Sequence, residues 1–338
     1  MTTENTNPQI EAAGAINPEP TVRTLSGFWR RIFAGCIDGF ILGLTGVILG
    51  LFLFEFLAQL GGWGRLFGFC IGLAYYGLLN SFIGKGQTLG KRLLKIEVVD
   101  EKGEHISLSR SSLRVVILDA PYFLNIAMIP SSIIQSPIGF IVSFIIFGVI
   151  GASIYLYLFN RHTRQSLHDL VVGTFVVKTS RQERVVHAPV WKMHFVIVAV
   201  WFLAVLGFVI VSYVTAQKGV FPQLLTVQKK IQATGKVHVA SAFVGEEWHT
   251  ENGVRVTKTY FRTVAVWRRK PEDFEEAAKQ IAFVVLREYP EIMGKDALIV
   301  TVSYGYDIGI GQSWKNATYN RSPKEWQEVL DLHKDKES

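Results

Sequence analysis

From Met193 to Val214 the chain carries no Asp, Glu, Lys or Arg, only apolar side chains broken by His194 and Ser212. In hydrocarbon every backbone N–H and C=O needs an internal partner. A run of about 20 apolar residues meets that demand as one helix crossing the bilayer. Phe28–Phe54, Trp63–Phe82 and Ile138–Phe159 qualify in the same way. A fifth stretch, Val115–Ile134, holds Asp119, Pro121, Asn125 and Pro130, and reads as a kinked span or a re-entrant segment. Only 19% of the residues are charged, against about 25% in an ordinary soluble domain. The expected fold class is an α-helical membrane bundle of about five transmembrane helices, plus a small C-terminal α+β soluble domain.

Lys and Arg set the expected orientation, because basic loops stay on the cytoplasmic side. Residues 84–114 hold seven of them and 160–192 hold six, while the turns near 55–62 and 130–137 hold none. The N-terminus and both basic loops are therefore expected in the cytoplasm. Five spans then put the C-terminal domain outside the cell inner membrane. The expected segments are a disordered tail at 1–26, a membrane domain at 27–182, an additional helix at 192–215 and a soluble domain at 217–338. Within the first basic loop, Lys95–Val99 and His105–Leu108 flank Asp100-Glu101-Lys102-Gly103 and read as a β-hairpin. Thr174–Lys178 is a further β-rich run that a small cytoplasmic sheet would join to it.

Two glycine triplets recur at a spacing of four: Gly35, Gly39 and Gly43, then Gly64, Gly68 and Gly72. That spacing makes a smooth helix face on which backbones approach closely. Either the two helices pack on each other or one stripe mediates a homo-oligomer. Asp38 lies deep in the first span, where a carboxylate must face protein or water. Arg31 is two helical turns away, about 10 Å along the axis, so each group needs a partner on another segment. Asn80, Asp119 and Asp169 are the candidates. Such a set is either an ion or proton site or a structural polar network. Asp119, just before Pro121, also fits the broken-helix carboxylate of transporters. Glu55 reads as interfacial, and Cys36 and Cys70 as small packing residues.

Beyond Val214 the pattern changes. Lys236–Phe243 alternates as a strand, Asn252-Gly253 is a hairpin turn signal, and Val254–Val266 reads as a second strand. A helix opens after Pro271, Leu298–Ile310 alternates as a third strand, and Ser322-Pro323-Lys324-Glu325 caps a last helix. The expected order is strand, strand, helix, strand, helix.

Three motifs carry a resemblance. Phe28-Trp29-Arg30-Arg31-Ile32-Phe33-Ala34-Gly35-Cys36-Ile37-Asp38 resembles the opening of the RDD family of bacterial membrane proteins. Gly86-Gln87-Thr88-Leu89-Gly90-Lys91-Arg92 is similar to its central signature, and Gln165-Ser166-Leu167-His168-Asp169 to its closing one. The resemblance covers about residues 24 to 180. It implies that Arg31, Asp38 and Asp169 are the arginine and two aspartates of the family name. It also implies a membrane domain whose function is poorly defined, with cation/proton exchange suggested for some members. The additional helix and C-terminal domain depart from the family's short form. Arg31 and Asp169 are expected to pair at the membrane surface.

Enzyme chemistry has no residues behind it. Gly84–Arg92 lacks the spacing of a phosphate loop, and His162, His168 and Asp169 match no zinc motif. No catalytic residue, cofactor, metal or nucleic-acid partner is expected. The expected partners are membrane lipids and a protein partner of the C-terminal domain. The sequence leaves two functions open: a scaffold that presents an extracytoplasmic domain to a partner or envelope component, and an ion transporter or cation/proton exchanger using Asp38.

Overall fold

The computed structural model describes residues 22–125, 128, 133, 136–179, 184–185, 187–251 and 254–337. The Asn252-Gly253 turn, Pro130 and tail residues 1–21 lie outside these. Val22–Arg23 (β1) pairs in parallel with Arg184–Val185, and Ser26 is fully buried, so residues 22–26 belong to the fold rather than to a disordered tail. Helix α1 spans Phe28–Leu60 and ends at Gly61, whose φ of 53° breaks the helix. Helix α2, Gly64–Leu79, then returns beside it, since the Tyr75 hydroxyl lies 2.8 Å from Asp38 Oδ1. After the short α3 (Leu89–Leu93) comes β2 (Ile96–Val99). Helix α4 runs Leu108–Leu124 with Ser107 as its N-cap. It is followed by α5 (Pro137–Phe159), α6 (Leu167–Val172), β3 (Phe175–Lys178) and β4 (Arg184–Val185). Helix α7, Lys192–Ala216, is antiparallel to α5: Tyr155 meets His194 at one end and Phe140 meets Tyr213 at the other.

Among the described residues three helical stretches are long and apolar enough to cross a membrane: Phe28–Leu79, which is the α1–α2 pair, Pro137–Phe159 and Lys192–Ala216. Their outer faces carry Phe40, Leu51 and Phe52 at 73%, 76% and 81% exposure. Side chains of that kind favour lipid over water. Cys36 and Cys70 are free thiols on this exposed surface, not packed inside the bundle as expected.

The expected hairpin within 95–108 does not form. β2 pairs antiparallel with β3, Ile96 opposite Lys178 and Val99 opposite Phe175. Residues 107–108 instead start α4, because the Ser107 hydroxyl caps its first turn. The small sheet thus joins the two basic loops. Ile96, Val98, Ile106 and Val176 pack with Ala34 beneath the start of α1.

The C-terminal domain opens with a helix the sequence reading missed, α8 (Phe221–Ala233). Its sheet has four strands rather than three. They are β5 (Val237–Glu251), β6 (Val254–Trp267), β7 (Ala297–Asp307) and β8 (Gln312–Arg321), in that spatial order. β6 and β7 run parallel, bridged by α9 (Phe274–Glu288), and both outer pairs are antiparallel. Helix α10 (Pro323–Glu337) closes the domain. One sheet face buries Phe261, Ala265, Val300 and Val302 against α8, α9 and Trp326 of α10. Trp326 is fully buried and donates its indole N–H to the Leu298 carbonyl at 2.9 Å. Truncating such a side chain leaves a large cavity and an orphan carbonyl. Trp326→Ala is therefore expected to cost about 3–5 kcal/mol, read as a lowered unfolding midpoint of the C-terminal domain.

Candidate functional site

At the end of the bundle where α1 begins, both basic loops dock on α1 through Arg31 and Asp38. Arg31 sends Nη2 to Asp169 Oδ2 at 2.7 Å, and its Nη1 donates to the Arg164 carbonyl. Asp169 also receives Arg114 Nε at 2.9 Å and the Thr174 hydroxyl at 3.1 Å, both on Oδ1. It caps its own helix through the Ser166 N–H as well. Asp169 is fully buried. Burial alone would raise its carboxyl pKa. The guanidiniums of Arg114 and Arg31 reverse that and hold it well below the usual carboxylate range.

Two turns along α1, Asp38 has a separate set of partners. Its Oδ1 accepts from Tyr75 Oη and from the Gly90 N–H, both at 2.8 Å, and its Oδ2 accepts from the Thr88 hydroxyl at 2.6 Å. Thr88 is also the N-cap of α3. A side chain at position 90 would overlap the Ala34 carbonyl, so glycine there lets α3 lie against α1. The Gly86–Lys91 signature is thus a dock for Asp38. Asn80, expected as a partner of Arg31 or Asp38, accepts instead from Lys91 Nζ. Burial, then the neighbouring Arg114, push the Lys91 pKa down to about 7, against the pull of Asp38 and Asp169.

Arg114, Lys91, Tyr75, Thr88 and His168 were not among the expected site residues. Arg114 was counted only as a loop cation. The signal lay in its spacing: Arg110 and Arg114 are one turn apart after a capping Ser107, so they share a helix face. Arg110 meets the end of α6, with Nη2 2.6 Å from the Val172 carbonyl. His168 is 4% exposed, and its Nε2 lies 3.1 Å from Arg114 Nη2. An arginine can only donate, so Nε2 is the acceptor and Nδ1 carries the proton. That Nδ1 has no partner among the described residues.

Burial, with the neighbouring cations adding to it, pushes His168 down to about 3, against the pull of Asp169. The unfolded chain takes up this proton near pH 6.5, while the folded chain refuses it until about 3. Falling pH across that window favours unfolding. Between pH 7.5 and 5 the wild type is expected to lose more thermal stability than His168→Asn. Equal losses would disprove the assignment. Asp169 titrates below this range, and Lys91, near 7, contributes alike to both proteins, so the difference between them reports His168.

These groups edge a cavity of about 430 Å³ between α1, α4 and α5. Its lining combines Arg31, Lys91, Arg114, His168 and Asp119 with the apolar Ile32, Leu118, Ile154 and Leu158. Asp119 has no hydrogen-bond or ion-pair partner among the described residues. It also lines a second cavity, of about 390 Å³, with Gly39, Gly43, Gly72 and the backbone of Gly309 and Ile310. Gly35, Gly39 and Gly43 have nothing within 4 Å of where a Cβ would stand. Other glycines make the close contacts. Gly46 lies against the Ile310 carbonyl, Gly50 the Tyr306 hydroxyl, Gly68 the Ile308 carbonyl and Gly64 the Asp307 carbonyl, each in the place a side chain would need. Gly72 faces the Phe123 ring.

The tip of the β7–β8 hairpin, 308–311, is therefore lodged among α1, α2 and α4. The Tyr122 hydroxyl donates to the Gly309 carbonyl at 2.7 Å, and Ile308 is fully buried. Arg65 holds Asp307 at 2.7 Å and also donates to the carbonyls of Tyr122 and Asn125. Glu55 accepts from the Tyr304 hydroxyl, and His238 Nε2 lies 3.2 Å from the Ala58 carbonyl. Glu55 thus lies under the C-terminal domain. Among the described residues no group of three or more His, Cys, Asp or Glu is placed to hold a metal ion.

Residues 25–173 match the RDD family model. Over 163 residues the chain is 25% identical to the "Uncharacterized protein YckC" of Bacillus subtilis (strain 168), covering 48% of this chain and 91% of that protein.

Proposed function

Starting from an RDD family region at residues 25–173, we propose that the chain is a membrane scaffold whose bundle holds the C-terminal sheet domain in a fixed pose on the side opposite the two basic loops. The lodged hairpin tip carries this reading. A domain tethered only by α7 would need no such wedge. In this reading α1, α2, α4, α5 and α7 make five crossings of the inner membrane. Lys91 and Arg114 of one basic loop and Arg161 and Arg164 of the other line cavities with Arg31 near the α1 start, and the sheet domain contacts the far end of α1. Arg31 and Asp38 tie both loops to one helix, which stiffens the bundle from the cytoplasmic side. The exposed sheet domain then meets a protein partner or envelope component.

The test has two arms, in a chain freed of Cys36 and Cys70. A single cysteine at Thr250 should react with an impermeant maleimide in intact spheroplasts. Spin labels at positions 250 and 133 should give one narrow distance distribution. Labelling only after permeabilisation would remove the outside placement, and a broad distribution would remove the fixed pose.

A second reading, cation/proton exchange, draws support from Asp119. Asp38 already accepts three hydrogen bonds, whereas Asp119 lines both cavities. The titratable site of an exchanger would be Asp119 rather than Asp38. In proteoliposomes Asp119→Asn should abolish exchange. Unchanged flux in that variant would eliminate this reading.

A further inference from the structure

We infer that the bundle binds one anionic glycerophospholipid, its acyl chain in the groove between α1, α4 and α5 and its phosphate among the arginines at the helix ends. The cavity between these helices adjoins another of about 420 Å³, and the two share Phe28, Arg31, Tyr157 and Leu158 as walls. Among the described residues the adjoining cavity is lined by Arg31, Arg161 and Arg164 and by no carboxylate. Arg31 is bonded to Asp169, and Arg164 donates to the Ser26 carbonyl at 3.0 Å. The Arg161 guanidinium has no hydrogen-bond or ion-pair partner among the described residues. It is the cation left for a ligand.

Beside the polar groups of α1 and α4, the groove that leads away from this basic end has an apolar flank of Ile32, Leu118, Ile154 and Leu158. Ile154 and Leu158 are 55% and 46% exposed along it, and no side chain or backbone covers Gly35. It opens sideways, where the outward residues of α1 and α5 face hydrocarbon. The arginines sit where α1 starts at Phe28 and α5 ends at Phe159, the depth of lipid headgroups. A ligand with an anionic head and an apolar tail matches both ends at once. A helix from a second copy would bury these arginines with no counter-charge, which is costly. A free phosphate would leave the apolar groove unfilled.

The experiment uses the purified full chain in detergent. Native mass spectrometry and intrinsic fluorescence follow titration with dioctanoyl phosphatidylglycerol, dioctanoyl phosphatidylcholine and inorganic phosphate in turn. The phosphatidylglycerol should bind about tenfold tighter than the phosphatidylcholine, and phosphate should not displace it at millimolar concentration. Arg161→Gln should weaken the phosphatidylglycerol by about fivefold, the worth of one cation at the headgroup level, and leave the phosphatidylcholine unchanged. Leu158→Trp, which fills the junction of the two cavities without touching a charge, should abolish binding of both. Equal affinity for the two lipids overturns the inference. So does full displacement by phosphate, which would mark a soluble-anion site, or wild-type binding in Arg161→Gln. Should Leu158→Trp not fold, the lipid comparison and Arg161→Gln decide.

Discussion

Asp169→Ala is expected to destabilise the membrane domain by about 3–5 kcal/mol, the cost of stranding a buried charge whose partner is removed. The magnitude follows from what Asp169 holds. Arg31 and Arg114 both bond to its carboxylate, with side chains 9% and 5% exposed, and neither has a second carboxylate at hand among the described residues. Removing the anion leaves two largely buried cations facing each other without a counter-charge among the described residues. It also frees the Thr174 hydroxyl and the first turn of α6. Folded yield in membranes and the unfolding midpoint would both fall sharply. A charge swap, Arg31→Asp with Asp169→Arg, tests the geometry further. A simple two-body pair would be rescued. Here the new arginine would meet Arg114, so no rescue is expected. Recovery of stability in the swap would show that Arg114 is not part of the unit.

Asp307→Ala is expected to loosen the hairpin from the bundle at a cost of about 3 kcal/mol, the low end for a broken buried pair. The low end applies because Arg65 keeps the carbonyls of Tyr122 and Asn125 as acceptors. Gly68→Leu should have the same outcome by a different cause. Its side chain would occupy the place of the Ile308 carbonyl, a backbone atom that cannot rotate away. In both variants hydrogen exchange at the Ile308 and Gly309 amides should quicken and proteases should gain access to 308–311. The folded cores of the sheet domain and the bundle should each persist. Unchanged protection at Ile308 in Gly68→Leu would contradict the lodged position of the tip.

The sequence made the long apolar helices legible, because a membrane span is a one-dimensional signal. It also placed Arg31, Asp38 and Asp169 in the right motifs. The expected pair of Arg31 with Asp169 is present, but the partners of Asp38 were misjudged: it is bound by Thr88, Gly90 and Tyr75, residues that look ordinary until α2 and α3 fold back on α1. The sheet that joins the two basic loops was expected and is present, but the local hairpin expected with it is not: Asp100–Gly103 mimics a hairpin turn, while β2 pairs directly with β3 across two spans. Strand β8 was missed because its apolar alternation is faint: Gln312, Lys315, Asn316 and Asn320 interrupt it on both faces. Helix α8 was missed because Pro222 and the apolar Leu224-Leu225 read as a continuation of the linker. The glycine triplets were visible, but spacing does not say what fills the face they make. Part of it receives a strand turn and part of it is empty.

The lodged hairpin also dictates an order of assembly. Its slot is made from Gly46, Gly68 and Phe123, while its tip is made at residues 308–311, so the two halves of one contact lie roughly 260 residues apart at the extreme. At a synthesis rate of about 5–20 residues per second the slot waits on the order of tens of seconds for its occupant. During that interval the Asp307 partner of Arg65 does not yet exist, and the helices must hold an open notch by their own packing. The clamps at Arg31 and Asp38 are complete once α6 has been made, well before the tip appears. The charged end of the bundle thus acts as the jig on which the opposite end is later closed.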